Sequence, residues 1–335
     1  MFRLLVSYMP LALLGSSHLG AWLVFLALET CSGIVSLLAW RVRAQALATV
    51  SSHRCRQDCS QTGQMLFRRP SRFVALTHNL MDALHLDQLL PRYRRFARAA
   101  ARHGGVGVAL LQEDVDGAAD EVARALGLDG VARCPTEPRL ATVYDARRYA
   151  AVDVRAVPLP ALAALAPHER LYIKGGAPET KRALAVRLRA RAARPLFTLN
   201  LHLDAAGDNA HRAGQLAAAV AAAPPPRRDV LLAGGDTNCF ALDRDRQARD
   251  LARMLRPLAR VGAKDAHARA PADTHFFART TESGIGHRLA RLAGAVGVDA
   301  PRRYDVLAAA ARVVAAGYLH TPESDHDGAW AALEY

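Results

Sequence analysis

Lysine is nearly missing from this 335-residue chain: Lys174, Lys181 and Lys264 are all there are, so arginine carries the formal net charge of +13. Cysteine is scarce too. Cys31, Cys55, Cys59, Cys134 and Cys239 are odd in number and contain no CxxC pair, which argues against a disulfide framework and a zinc ribbon and for reduced thiols. Cys55, Cys59 and His53 would make three zinc ligands with no fourth beside them. No segment repeats, which sets repeat architectures aside. With 51% apolar residues the chain can bury one large core or two small ones, and wholesale disorder is excluded.

Acidic residues are thin in one place. Between Arg41 and Arg102, twelve arginines face only Asp58, Asp82 and Asp87, a local net of +9. Such a block suits an anionic partner, nucleic acid or an acidic lipid surface. A composition rich in arginine and alanine throughout accounts for it equally well. Charge is nearly absent from residues 4 to 40, where Glu29 stands alone among runs such as "GAWLVFLAL" and "GIVSLLAW". That stretch is too long for the apolar region of a signal peptide and has no small-x-small cleavage site after it. It reads as a membrane anchor over 1–40, followed by a basic linker over 41–70. Arg41, Arg43, Arg54 and Arg56 follow the anchor and only Arg3 precedes it, which places the next domain on the cytoplasmic side. The alternative is a start at Met65 and a cytoplasmic protein without the anchor.

From about residue 71 short apolar runs alternate with amphipathic stretches. Strands are predicted at 73–78, 106–111, 140–144, 151–157, 183–188, 196–203, 229–234, 303–307, 311–316 and 328–333. Helices are predicted at 87–103, 117–127, 208–223, 244–255 and 285–295. This many strands with fewer helices implies an α/β protein with a two-layered sheet core flanked by helices. In the first helix Tyr93, Phe96 and Ala100 share one face, and Arg95, Arg98 and Arg102 share another that reads as solvated.

The predicted strands end in polar residues. "FVALTHNL" delivers Asn79 and "GVALLQED" delivers Glu113. In "LFTLNLHLD" the alternation is strict, so His202 lies on the polar face with Thr198, Asn200 and Asp204. "VLLAGGDTNCF" supplies Asp236 and Asn238, "RRYDVL" supplies Asp305, and "ESDHDGAW" supplies Asp325 and His326. Each has a plain structural explanation on its own, as a cap, a turn or a surface residue; "GGDTN" would serve as a simple turn. Together they offer what metal-assisted phosphate chemistry needs: carboxylate and amide oxygens for a hard cation, a base for water, and donors for a developing phosphorane charge.

Five of these motifs, in this order, resemble the endonuclease/exonuclease/phosphatase superfamily, whose members include deoxyribonuclease I, apurinic endonucleases, neutral sphingomyelinases and inositol polyphosphate 5-phosphatases. "THNL" is similar to its first asparagine motif, "LLQE" to its metal-binding glutamate motif, "NLHLD" to its histidine strand, "GGDTN" to GDxN and "SDHDGAW" to its terminal SDH motif. The resemblance spans residues 71–335. It implies a four-layer α/β sandwich of two mixed β-sheets flanked by helices, and a Mg2+- or Mn2+-dependent hydrolase acting on a phosphodiester as a monomer. It further implies that Asn79, Glu113 and Asp325 hold the metal. His326, oriented by Asp305, would be the base, with Asp236 as a competing candidate. Asn238 and His202 would stabilise the phosphorane charge, His202 also protonating the leaving oxygen, and Gly234 and Gly235 would let the backbone approach the phosphate. The substrate stays open between nucleic acid and an anionic lipid. "VLAAAARVV" lacks the polar and aromatic residues many nucleases carry after the aspartate, and "DGAW" departs from the usual SDH-x-P ending. A calcineurin-like phosphatase is excluded, since no D-x-H precedes a GNH.

Overall fold

Alternation between two buried faces sets the layout. A computed structural model describes residues 71–335 apart from 168, 172–176, 192, 242, 277–278, 280–287, 289–290 and 293–301. The expected anchor, the basic linker and most of the helix expected over 285–295 therefore lie outside the described residues. By contacts the chain divides into Met1–Phe67 and Arg68–Tyr335, and every described strand and helix belongs to the second unit. Among the described residues no helix is long and apolar enough to cross a membrane.

Twelve strands form two six-stranded sheets. The first holds β1 (Arg72–Asn79), β2 (Val106–Gln112), β3 (Gly130–Cys134), β4 (Glu137–Tyr144), β11 (Arg312–Leu319) and β12 (Gly328–Glu334), ordered β11-β12-β1-β2-β4-β3. The second holds β5 (Tyr149–Pro158), β6 (Arg182–Ala190), β7 (Leu196–His202), β8 (Val230–Asp236), β9 (Lys264–Asp265) and β10 (Asp305–Ala309), ordered β5-β6-β7-β8-β10-β9. Each sheet has one parallel pair at its centre, β1 with β2 and β7 with β8, and is otherwise antiparallel. Helices α1 (Leu86–Ala100) and α2 (Ala118–Leu126) cover the first sheet; α3 (Asn209–Ala222), α4 (Arg244–Met254) and α5 (Arg256–Arg260) cover the second.

Phe73 and Ala75 of β1 pack between the sheets while Val74 and Leu76 pack under the helices, as a strand buried on both faces requires. The polar face of β7 is likewise buried. Asn200 is fully enclosed between the sheets, accepting at Oδ1 from Gln112 Nε2 (2.7 Å) and donating from Nδ2 to Leu111 O and Ala141 O (2.9 Å each). These bonds tie sheet to sheet, and losing one partner would strand the others without water.

β3 and β9 have no counterpart in the predicted strands. β9 is two residues long, and β3 is a short edge strand whose Gly130 is needed because a Cβ there would lie 2.3 Å from the Tyr144 ring. The helix expected over 244–255 is α4, which ends at Met254, and Pro257 stands in the first turn of α5 after it. Arg95, Arg98 and Arg102 face solvent, as their stripe implied. The two glycines of "GGDTN" have a packing explanation. Gly235 has φ +142° and a Cβ on it would come 1.8 Å from Leu201 O; on Gly234 it would come 2.8 Å from Val306 O. Close packing of β8 between β7 and β10 requires them.

Candidate active site

The two parallel pairs end side by side. Register places Asn79 opposite Gln112, the residue before Glu113, and His202 opposite Asp236. β10 runs the other way, so Asp305 sits at its first residue and faces Asp236, the last of β8. The loop ahead of β12 adds Asp325 and His326. All eight residues singled out in the sequence therefore belong to one end of the sandwich.

A chain of contacts links most of them. Asp305 Oδ2 accepts from His326 Nδ1 at 2.8 Å, and His326 Nε2 lies 3.6 Å from Asp236 Oδ2. Asn79 Nδ2 donates to Asp236 Oδ2 (3.1 Å) and to Glu113 Oε1 (3.0 Å). His202 Nε2 is 3.7 Å from Glu113 Oε1 and 3.9 Å from Asp236 Oδ2. Asn79 thus spaces two carboxylates with its nitrogen, while its Oδ1 accepts from Met81 N (3.0 Å). Glu113 is held at Oε2 by Asp82 N (3.0 Å), and Arg139 pairs with Asp82 and reaches within 3.9 Å of that same Oε2.

Two site residues adopt left-handed backbone, Glu113 at φ 57° and Asn238 at φ 48°. For a non-glycine residue this costs on the order of 1 kcal/mol or more and persists where surroundings enforce it. At Asn238 the enforcement is visible: its N–H donates to Asp236 Oδ1 (2.8 Å) and its Nδ2 to Leu203 O (2.9 Å).

Burial and charge divide the two histidines. His202 falls well below the ordinary histidine range, first because it is buried and then because Lys181 and Arg139 are near. His326 is also buried, which alone would lower it, but the Asp305 and Asp236 carboxylates hold it well above that range. One imidazole is neutral at neutral pH and the other is an imidazolium. Burial raises Asp236, and it pushes Glu113 up to about 7 against the Asn79 hydrogen bond, which lowers it.

Several residues of the site carry no sequence signal that singles them out. Thr274 Oγ1 accepts from Tyr304 N (3.0 Å) and Asp305 N (2.9 Å), which anchors the start of β10. His275 stacks on Tyr304, with ring centroids 4.6 Å apart, and stands edge-on to His326 at 4.7 Å. His78, beside Asn79, is fully buried; its Nε2 donates to His326 O (3.1 Å) and its Nδ1 accepts from Tyr93 Oη (2.5 Å). "THFF" contains Thr274 and His275 in a stretch with neither helical nor strand period, so only the three-dimensional arrangement reveals them.

No protein-family model matches the sequence, and no curated protein matches it. Solved structures do. An endonuclease/exonuclease/phosphatase from Bacteroides vulgatus superposes with a TM-score of 0.52 at 15% identity, over 79% of this chain and 99% of that one. A functionally unknown conserved protein from Enterococcus faecalis V583 gives 0.50 at 14% identity, over 78% and 100%. TDP2 of D. rerio, solved with a single strand DNA product, gives 0.49 at 13% identity, over 78% and 98%. At these identities the likeness is one of fold. Two mixed sheets of six strands, each covered by helices, are the four-layer sandwich of deoxyribonuclease I-like proteins. In fold, this chain is similar to that endonuclease/exonuclease/phosphatase structure.

Proposed function

We propose that this protein is a divalent-metal-dependent phosphoesterase that hydrolyses a phosphodiester of nucleic acid. The observation that carries the reading is the continuous relay Asp305–His326–Asp236–Asn79–Glu113, with His202 within 3.9 Å of both Glu113 and Asp236. The metal's chemistry would be to neutralise charge on the phosphate and its leaving oxygen. Glu113 fits the role of holding it, with Asp325 nearby: its buried carboxyl, raised to about 7, gains most from a cation, and carboxylate oxygens are what Mg2+ or Mn2+ takes. Asn79, with its nitrogen toward the carboxylates, would contribute by spacing Glu113 from Asp236, unless its amide turns over when the cation enters.

The remaining roles follow from protonation. Asp236, raised by burial, is the better base toward water, while His326, an imidazolium locked by Asp305, supplies positive charge to the phosphorane. The sequence left that choice open between the two. His202 enters neutral, so it serves as a hydrogen-bond donor to the transferring phosphoryl group, with Asn238 beside it. The net charge of +13, with Arg139 and Lys181 close to His202, favours a polyanionic substrate.

The test is turnover by the full-length chain with Mg2+ on single- and double-stranded nucleic acid, sphingomyelin and phosphoinositides. Nucleic-acid cleavage that Glu113→Gln and Asp236→Asn abolish is the expected result. Turnover of a lipid alone would assign the site to an anionic-lipid phosphodiesterase, and none on any of them would overturn the reading.

A further inference from the structure

Beside the relay stands His275, a buried imidazole that the proposed reaction leaves unused. Among the described residues, His275, Asp325 and His326 are the group whose ligand atoms all lie within 4.8 Å of one another, and all three are buried. His275 is fixed in place. Its backbone N donates to Arg302 O (2.8 Å), Arg302 N donates back to His275 O (2.9 Å), and it is bridged antiparallel to His326. Its ring lies flat on Tyr304, 16° between planes, so its nitrogens have little freedom to swing away. Nε2 stands 3.9 Å from Asp325 Oδ2.

His326 completes the set with a second feature. Its Nδ1 is committed to Asp305 Oδ2 at 2.8 Å, which leaves Nε2, 3.6 Å from Asp236 Oδ2, as the nitrogen for a metal. A carboxylate behind an imidazole is the arrangement that orients a metal-binding histidine and raises its basicity. Two imidazole nitrogens and one carboxylate oxygen suit a borderline transition metal, whereas the oxygen donors around Glu113 suit Mg2+. Asp236, Asp305 and Asp325 surround His326, so a second dication meets compensating charge.

We infer that His275, together with Asp325 and His326 of the proposed reaction, forms a transition-metal site that takes Zn2+. Zinc ligand atoms stand roughly 3.4 Å apart when each bond is about 2.1 Å, so the three side chains draw in by roughly 1 Å on binding. A metal on His326 Nε2 displaces the imidazolium proton to solvent and occupies the nitrogen that faces Asp236 at 3.6 Å. Given the proposed phosphoesterase reaction, the loaded site is therefore an off state.

Calorimetric titration of the full-length chain with Zn2+, in saturating Mg2+, tests this without reference to activity. One Zn2+ should bind the parent, and His275→Ala should weaken it by at least about tenfold, the loss seen even for a supporting partner of a metal ligand. His275→Gln, which keeps most of the volume against Tyr304, should do the same and decides the matter if alanine disturbs the fold. Glu113→Gln should remove the Mg2+ heat and leave the Zn2+ isotherm as it was. Zn2+ should also inhibit Mg2+-supported turnover, less so in both His275 variants. A parent that binds no Zn2+, a Zn2+ isotherm lost with Glu113→Gln, or His275 variants that bind as the parent does would each overturn the site. Loss of the phosphoesterase reading alone would leave the Zn2+ isotherm standing.

Discussion

Asp305 and His326 meet at 2.8 Å although they arrive from different places, one from the first residue of a strand in the second sheet and the other from a loop leading into the first. The contact spans the seam between sheets and decides the charge of the imidazole. Asp305→Asn should therefore remove the imidazolium at neutral pH, lowering kcat on the order of 10²- to 10³-fold while KM changes little. A titration of the His326 ring by NMR, shifted toward the ordinary histidine range in the variant, checks the cause.

Glu113 sits at about 7 without a cation, because burial disfavours its charge. Metal binding must then displace a proton below that pH. Mg2+ affinity should be flat above pH 7 and fall about tenfold for each unit below it, and calorimetry in buffers of different ionisation enthalpy should show proton release at pH 6. A pH-independent affinity would mean that Glu113 is not the ligand.

His202 is the residue on which the two leaving-group readings differ. In the proposed reaction its neutral ring would stabilise the phosphoryl group rather than deliver a proton that only a poor leaving group needs. His202→Ala should cost on the order of 10²-fold on a natural diester and as much on a p-nitrophenyl diester. A markedly smaller loss on the nitrophenyl ester would restore His202 as the acid.

His78 gives the fold an acid weakness. Burial brings it down to about 4 from 6.5, so in the interval between, the unfolded chain binds a proton that the folded one refuses. Stability from this group is complete above pH 6.5 and is lost as pH falls toward 4, by about 3 kcal/mol in all. Urea midpoints measured from pH 7 to 4 should decline, and His78→Gln should flatten that decline.

Gly235→Ala tests the packing account of the paired glycines in β8. With a Cβ 1.8 Å from Leu201 O and φ at +142°, the variant should lose on the order of 3 kcal/mol or more, read by thermal unfolding, before any effect on chemistry is measurable.

Strand ends were legible because a buried β-strand is a dense apolar run and its last residue need not be. Asn79, Glu113, His202 and Asp236 stand out for that reason, Asp305 as the polar residue of "RRYDVL", and His326 through the terminal family motif. His275 and Thr274 were hidden, since they act through a ring stack and a hydroxyl on two backbone amides, neither of which leaves a period in the sequence. β3 was hidden because edge strands need few apolar residues. The packing need for the glycines was hidden: their crowding comes from Leu201 and Val306, 34 residues before one glycine and 72 after the other in numbering, and sequence alone does not show that they meet.

β1 lies between β2, about thirty residues on, and β12, which begins at Gly328. A ribosome making this domain therefore exposes a half-paired β1 for nearly the whole of synthesis, while the entire second sheet is laid down in the interval. Asp325 and His326 emerge with that last closing strand, so a nascent or truncated chain holds Glu113 and Asp236 yet lacks the imidazole between Asp305 and Asp236. In the proposed reaction a product that stops short of that strand would be inert, and contacts that join distant parts of the chain in this way go with slow folding.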